Sequence, residues 1–415
     1  MGENEKQEMK AVRLRRKDEG WRAPAWCRAA AVALLWCAPA LVSVAGTAGD
    51  GNDGEKKAVR QRSGWDNPVE SPVVAEGGRV AFALVAPGAQ RVELGGQFMA
   101  GRRPMERDSL GAWRVEVDIP QADIYPYSFV VDGVEISDPS NPLTFPNERF
   151  KASLLVMPYE GALYLPAADV PAGQVRYCTY YSRRMGMFRP LLVYTPPGYD
   201  AGTADYPALY LVSGTTDTEE TWFKVGRANH ILDHLIARGR AAKMLVVMPY
   251  GYMPAHGTPD PSSGGAADMY ADFAAELTDE IMPFVERGFR VRKERGSRAV
   301  AGFSRGGGQA LFTAYSRPDL FSAVAAYAAY LTPEVMDARF AALFSDAGRA
   351  DSLLRLKWFG VGDDDFLRPG VEEHLRYFDR KKVDYEIFRT GGGHTWMNAR
   401  TYLTETLPLF FPNEE

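Results

Sequence analysis

A serine at position 304 lies in a sequence context that suits nucleophilic chemistry. The stretch 298–308 is RAVAGFSRGGG, in which a buried-strand pattern runs through Gly302-Phe303-Ser304-Arg305-Gly306 into a helical pattern. A G-x-S-x-G turn between a strand and a helix exposes the serine hydroxyl, and its glycines let the backbone approach itself closely. The alternative is a glycine-rich turn without chemistry. The position of the motif between a strand and a helix favours Ser304 as a nucleophile.

Such a serine needs a general base, and His394 is placed to be that base. A serine hydroxyl is a weak nucleophile at neutral pH, so a base must take its proton and a carboxylate must hold the base in the correct tautomer. On this type of turn the chain order is serine, acid, histidine. His394 follows a predicted strand in the glycine loop TGGGHTW, whereas His374 falls on a polar helix face where we expect solvation. The other histidines precede the serine: His230, His234 and His256.

The acid should follow the predicted strand 356–361, where the loop is Gly362-Asp363-Asp364-Asp365-Phe366. Spacing alone does not choose among the three aspartates. Adjacent acids in a loop can also cap a helix or bind calcium. The residues therefore predict a carboxylate at this loop and leave its position open.

These residues require a parallel sheet to bring them together. Near-continuous apolar runs predict strands at 191–194, 208–213, 244–249, 298–302, 323–328, 356–361 and 385–389. Helical patterns between them cover 228–238, 269–289, 306–315, 371–381 and 396–409. Alternation of this kind indicates a second domain over 176–415, with a mostly parallel sheet covered by helices on both faces.

The preceding part of the chain has a different organisation. Short alternating runs over 65–160, with Asp132-Gly133 between two of them, predict a small all-β sandwich of immunoglobulin type, because Asp-Gly is a strong hairpin signal. Residues 161–175 form a linker rich in Ala and Pro, and residues 49–64 are a polar, glycine-rich tether.

The first 48 residues carry arginines ahead of an apolar run, 29–44, that ends in small residues. This pattern predicts a signal peptide and a secreted or periplasmic product, with an uncleaved membrane anchor as the alternative. Cleavage would leave Cys178 as the single cysteine, so no intramolecular disulfide is expected. A formal net charge of −5 and a pI near 5.7 give no broad basic surface, which argues against a nucleic-acid partner.

Several of these stretches resemble the esterase D-like α/β hydrolases, the group that includes feruloyl and acetylxylan esterases of carbohydrate esterase family one. The matching segments include YTPPGY (194–199), MLVVMP (244–249), AGFSRGGGQAL (301–311) and GGGHTW (391–396). The resemblance implies that Asp365 is the acid, with Asp364 as the second choice. It also implies an oxyanion hole made by the backbone N–H groups of Arg305 and Thr215.

The same resemblance suggests which residues line the substrate pocket. Aromatic and acidic residues in loops at the carboxyl edge of the sheet are candidates for substrate binding, or equally for loop packing: Trp222, Tyr250, Tyr252, Trp396 and Glu219. Ser213, Tyr250 and Arg305 replace the family's usual histidine, asparagine and methionine. If the Arg305 side chain reaches the pocket, it should favour a substrate with a carboxylate; the alternative places it on the helix surface.

Residues 125–142, YPYSFVVDGVEISDPSNP, resemble the early-set, glycogen-binding-like modules found beside branching enzymes and some exported esterases. The pairing implies an ester-decorated polysaccharide or oligosaccharide as substrate, in particular feruloyl or acetyl xylan, with no cofactor and no metal. The alternatives are a siderophore (enterochelin-like) esterase and a non-catalytic glycan-binding protein with an inactive hydrolase domain.

Overall fold

Near-continuous apolar runs form a nine-stranded sheet, which is the frame of residues 174–412. The computed structural model describes residues 12–15, 69–254 and 264–412. The strands of this sheet are β1 (Val12–Arg15), β11 (Gln174–Ser182), β12 (Met187–Thr195), β13 (Ala208–Val212), β14 (Leu245–Pro249), β15 (Arg298–Phe303), β16 (Ala323–Tyr327), β17 (Leu356–Gly362) and β18 (Glu386–Thr390). Their order across the sheet is β1-β18-β17-β16-β15-β13-β14-β12-β11.

The pairing directions make the sheet mostly parallel, as the sequence predicts. Strands β13 to β18 pair parallel with one another, whereas β12 pairs antiparallel with both β14 and β11, and β1 pairs antiparallel with β18. Side chains alternate between the faces, so Tyr210 and Val212 of β13 enter one hydrophobic cluster while Leu209 and Leu211 enter the other. Both faces are buried, which explains why these strands are apolar throughout.

Helices cover both faces. They are α1 (Thr221–Lys224), α2 (Ala228–Ala237), α3 (Gly264–Glu276), α4 (Met282–Gly288), α5 (Arg305–Ser316), α6 (Pro333–Phe344), α7 (Ala347–Leu353), α8 (Arg368–Lys381) and α9 (Trp396–Phe410). A π-helical turn, Leu277–Ile281, joins α3 to α4 within the segment predicted as one helix. In the part of the chain that the structure describes, no helix is long and apolar enough to cross a membrane.

Residues 69–160, here called the N-terminal module, form two antiparallel sheets. One contains β4 (Val92–Gly96), β5 (Arg102–Pro104), β8 (Ile124–Val131), β9 (Val134–Ile136) and β10 (Ser153–Val156); the other contains β2 (Val73–Val74), β3 (Arg79–Val85), β6 (Glu106–Arg107) and β7 (Ala112–Asp118). The predicted hairpin joins β8 to β9, and Asp132 and Gly133 both adopt positive φ, 48° and 88°. Trp113 packs in a shared core between the sheets.

The N-terminal module and the large sheet with its helices belong to one compact unit, which contains all of Val69–Glu415. Ile124, Phe145 and Leu154 of the module enter the hydrophobic cluster on one face of the large sheet. At the same contact, Arg400 of α9 donates to Asp123 and, over 2.8 Å, to the carbonyl of Val225. The predicted signal peptide and tether, apart from β1, lie outside the described residues.

Candidate active site

Ser304 sits at a tight turn between β15 and α5. Its backbone is in an uncommon conformation (φ 55°, ψ −122°), and its N–H donates to the carbonyl of Tyr327 over 2.8 Å. Side chains cannot replace the flanking glycines, because a Cβ on Gly302 would lie 2.3 Å from Gly306 and one on Gly306 would lie 2.3 Å from the carbonyl oxygen of Val212. The strained serine and its close-packed glycines give the geometry that the motif predicts.

His394 and Asp365 are hydrogen-bonded to each other at the carboxyl ends of neighbouring strands. The Nδ1 atom of His394 lies 2.9 Å from Oδ2 and 3.1 Å from Oδ1 of Asp365. Asp365 is buried, whereas Asp363 and Asp364 are exposed. The side chain of Asn398 holds the histidine loop by donating to the carbonyls of Gly391 and Gly393. Of the three adjacent aspartates, the structure brings Asp365 to the histidine.

Two phenylalanines that the sequence analysis did not single out flank the His394 ring. Phe303 stacks on it with ring centroids 4.5 Å apart, and Phe366 lies 4.7 Å away on an exposed loop. Because Phe303 directly precedes Ser304, the stacking places the histidine beside the serine turn. Phe303 precedes Ser304 and Phe366 follows Asp365 in the chain. This adjacency to predicted site residues is the signal by which the sequence could have identified them.

The loop from 213 to 220, which joins β13 to α1 and is here called the β13–α1 loop, runs next to the serine. A Cβ on Gly214 would lie 3.5 Å from the Cβ of Ser304. The N–H of Gly214 donates to the Asp217 carboxylate over 3.0 Å, while Thr215 is exposed at the tip. Burial raises the pKa of Asp217 to about 7, against the opposing effects of Arg305 and of the Gly214 hydrogen bond.

The Arg305 side chain is buried beside this loop, so the alternative that placed it on the helix surface is wrong. Its side chain is 3% exposed, and its Nη1 lies 3.9 Å from the carboxylate of Glu148 in the N-terminal module. Burial lowers the pKa of Arg305, and the charges of Glu148 and Asp217 oppose that effect. The charge of Glu148, joined by that of Asp217 once Asp217 ionises, therefore compensates one cation that has been removed from water.

The candidate substrate residues fall into two groups. Trp222 is fully buried, donates from its indole to the carbonyl of Val212 over 2.9 Å, and packs against Trp396, which is also buried. These two rings pack the loops, which is the alternative that the sequence left open. Tyr250, Tyr252 and Glu219 are half-buried. Arg189 donates to the carbonyls of Tyr250 and Tyr252 and so holds that pair in place.

One histidine differs from expectation. His374 is fully buried, not solvated, and its Nδ1 lies 3.0 Å from both the backbone N and the carbonyl oxygen of Leu331. Burial lowers its pKa to about 3, so it is neutral and structural. Within the described ranges, no group of three or more His, Cys, Asp or Glu side chains could hold a metal ion.

This fold and site define a class. A parallel sheet, a strained serine on a strand-to-helix turn and a histidine bonded to a buried aspartate are the framework of α/β hydrolases that cleave carboxylic esters. The family model described as Putative esterase matches residues 182–406, and the chain belongs to that Esterase family. The family match and the similarity to feruloyl esterases support carboxylic ester hydrolysis by this part of the chain.

Individual proteins are also similar to parts of this chain. The chain is 29% identical over 262 residues to the endo-1,4-beta-xylanase/feruloyl esterase of Xylanibacter ruminicola. The aligned region covers 61% of this chain and 35% of that relative. The chain thus spans about a third of the length of that curated protein. A solved ferulic acid esterase aligns with a TM-score of 0.51 and 25% identity over 58% of this chain and 98% of its own.

The enterobactin esterase FES from Shigella flexneri aligns with a TM-score of 0.58 and 18% identity over 80% of this chain and 92% of its own. At that identity the likeness concerns the fold. The aligned region, 80% of this chain, is longer than the hydrolase part alone. The likeness in fold therefore extends into the N-terminal module.

Proposed function

We propose that this protein is an exported serine esterase in which Ser304, His394 and Asp365 form the catalytic triad. The observation that carries the proposal is the hydrogen bond between His394 Nδ1 and the buried Asp365, beside a serine held at a strained turn. A carboxylate on Nδ1 leaves the Nε2 atom of the neutral ring free to accept a proton. Export rests on the signal-peptide pattern of the first 48 residues.

The chemistry follows from these positions. His394 takes the proton of the Ser304 hydroxyl as its oxygen attacks the ester carbonyl, and the carbonyl oxygen becomes negative. The N–H groups of Arg305 and Thr215 are the proposed donors to that oxyanion. His394 then gives the proton to the leaving alcohol, an acyl-enzyme remains, and water activated by the same histidine releases the acid and restores the serine.

We favour feruloyl or acetyl esters of plant cell-wall xylan as the substrate. The support is the similarity to the Xylanibacter ruminicola protein and to the ferulic acid esterase, together with the half-buried Tyr250 and Tyr252 at the carboxyl edge of the sheet. Their rings lie 6.0 Å apart, and aromatic rings of this kind can pack against a phenolic acid or a sugar face. We assign the N-terminal module to the early-set sandwiches on its two sheets and shared core.

A siderophore esterase is the second candidate, because the enterobactin esterase is similar in fold over both the module and the hydrolase part. The deciding experiment measures kcat/KM on methyl ferulate, p-nitrophenyl acetate and a catecholate siderophore, with Ser304→Ala as control. A dominant ferulate rate that is lost in Ser304→Ala supports the cell-wall substrate, and a dominant siderophore rate supports the second candidate. If none of the three is cleaved in a Ser304-dependent way, neither proposed substrate class is correct and only the fold assignment stands.

A further inference from the structure

A segment of the N-terminal module reaches the active-site side of the large sheet and binds the β13–α1 loop. We call residues 144–149 the clamp segment. The N–H of Glu148 donates to the carbonyl of Thr216 over 2.7 Å, and the side-chain amide of Asn147 donates to the Thr216 hydroxyl over 2.9 Å. At the end of the loop, the hydroxyl of Thr221 donates to the carbonyl of Pro146 over 3.0 Å. Two hydrogen bonds thus fix the loop to the module, and a third fixes the first residue of α1.

The residue that receives two of these bonds is in an unfavourable backbone conformation. Thr216 has φ 63°, in the left-handed region, although it is β-branched. Such a residue is a real conformational outlier, and it persists only where surrounding contacts fix it. The contacts from Glu148 and Asn147 act on this residue, so the clamp segment compensates the cost of its conformation.

Thr216 follows Thr215 directly, so its dihedral angles help to set the direction of the preceding peptide groups. Asp217 already accepts the N–H of Gly214, and Asn147 forms a β-bridge with Asp217. The clamp segment therefore contacts the two residues that follow the proposed Thr215 donor, and one of them, Asp217, in turn accepts the N–H of Gly214, the residue before Thr215.

We propose that the N-terminal module is part of the catalytic apparatus, and that Asn147 is a positioning residue that holds Thr216, and through it the Thr215 N–H, in the orientation needed for the oxyanion. This proposal rests on the proposed esterase function for its catalytic consequence. Its structural part, the fixing of the β13–α1 loop by the module, is independent of the reaction. The module is then needed for turnover of a small soluble ester as well as of a polymer.

The side chain of Glu148 has a separate role that can be tested apart from its N–H. Its carboxylate faces Arg305, whereas its N–H holds Thr216. Glu148→Gln keeps the N–H and removes the charge, so it reports on the ion pair. Asn147→Ala keeps the charge and removes one of the two hydrogen bonds to Thr216.

The test compares full-length wild type with Asn147→Ala, Thr216→Gly and the double variant. Asn147→Ala should lower kcat on p-nitrophenyl acetate by about tenfold and leave KM within about twofold, because a lost hydrogen bond misdirects a donor that acts in the transition state. Glycine adopts the left-handed region freely. Adding Asn147→Ala to Thr216→Gly should therefore change kcat by less than about twofold.

Asp123→Asn is the matched control, since it weakens the contact of the module with Arg400 and leaves the clamp segment intact. It should lower thermal stability without changing kcat. If it lowers kcat as much as Asn147→Ala does, the module acts only through general stability and the positioning role is wrong.

Hydrogen–deuterium exchange of the peptide that contains 213–220 decides the structural part without reference to activity. Exchange in this loop should be faster in Asn147→Ala than in wild type and unchanged in Asp123→Asn. Unchanged exchange in Asn147→Ala overturns the proposal. A wild type without Ser304-dependent turnover would refute the esterase function, and the exchange data would still decide whether the module fixes the loop.

Discussion

The carboxylate of Asp365 meets the imidazole of His394 through both of its oxygens, at 2.9 and 3.1 Å from Nδ1. One of these oxygens, Oδ1, also accepts the N–H of Leu367 over 2.9 Å. The Asp365 carboxylate is thus held by a backbone N–H of its own loop and in turn holds the His394 ring. This double anchoring explains why the buried aspartate and not its exposed neighbours makes the contact.

Asp365→Asn should reduce kcat by about three to four orders of magnitude, because an amide in this place favours the wrong histidine tautomer. Asp364→Asn is the matched control, since Asp364 is exposed two residues past the strand, and kcat should stay within about twofold. Steady-state kinetics on p-nitrophenyl acetate measures both. An equal loss in the two variants would remove Asp365 from the triad.

The sequence was sufficient for the strands that carry this site. The runs ending at Gly302 and Val361 are apolar because parallel strands are covered on both faces, and the structure forms strands there. The hairpin at Asp132-Gly133 was equally predictable, since positive φ at two adjacent positions restricts the residue types. Local chemistry and tertiary structure agree at these points.

Other features depended on tertiary packing. The run at 191–194 does not reveal its direction, and β12 pairs antiparallel with a partner, β11, that begins in the predicted linker. Helices α6 and α7 were not predicted, although Thr332 and Asp346 accept hydrogen bonds from the first turns as N-caps. The burial of Arg305 could not be read from the chain, because its counter-charge Glu148 lies 157 positions earlier, at 148 against 305.

The Phe366 ring should contribute to the placement of His394. Phe366→Ala should lower kcat by about two- to tenfold, since an aromatic contact contributes about 0.5–1.5 kcal/mol beyond burial. The side chain is 71% exposed, so stability should hardly change. Phe188→Ala is the control, because that ring is 69% exposed on β12 and pairs with Tyr181 instead of the histidine. Thermal unfolding and kcat, measured together, separate the two roles, and equal kcat values in the two variants would argue against a role for Phe366.

Arg305→Met should destabilise the fold by about 3 kcal/mol, because it leaves the Glu148 carboxylate without its buried counter-charge. Adding Glu148→Gln should restore part of that stability. Arg317→Met, at the other end of α5, is the control: its pair with Asp319 is exposed and should contribute at most about 1 kcal/mol. Denaturant unfolding measures all three variants.

The same variant tests substrate charge. If the Arg305 guanidinium binds a substrate carboxylate, Arg305→Met should lower kcat/KM for an acidic ester more than for methyl ferulate. An unchanged ratio between the two esters would show that Glu148 and Asp217 already neutralise Arg305 and that it has no part in substrate choice.

Asp217 should make the stability of the protein fall as the pH rises towards neutrality. Burial raises its pKa in the folded state to about 7, against an ordinary value of 3.8, so between these values the folded state binds a proton that the unfolded state has released. The stability from this group is complete below about pH 4 and is lost as the pH rises through about 7. One proton corresponds to at most about 1.4 kcal/mol per pH unit.

Asp217→Asn removes this titration and keeps an oxygen for the N–H of Gly214. The free energy of unfolding of wild type, minus that of Asp217→Asn, should therefore decrease between pH 4.5 and 7.5 and stay level above that range. Asp319→Asn should not show this decrease, because the hydrogen bond from Arg317 lowers the pKa of Asp319 and its contribution is lost only as the pH falls. Urea unfolding at four pH values measures the difference. Parallel curves for wild type and Asp217→Asn would mean that Arg305 keeps Asp217 ionised throughout, and the buried cluster would then hold two carboxylates against one guanidinium at every pH tested.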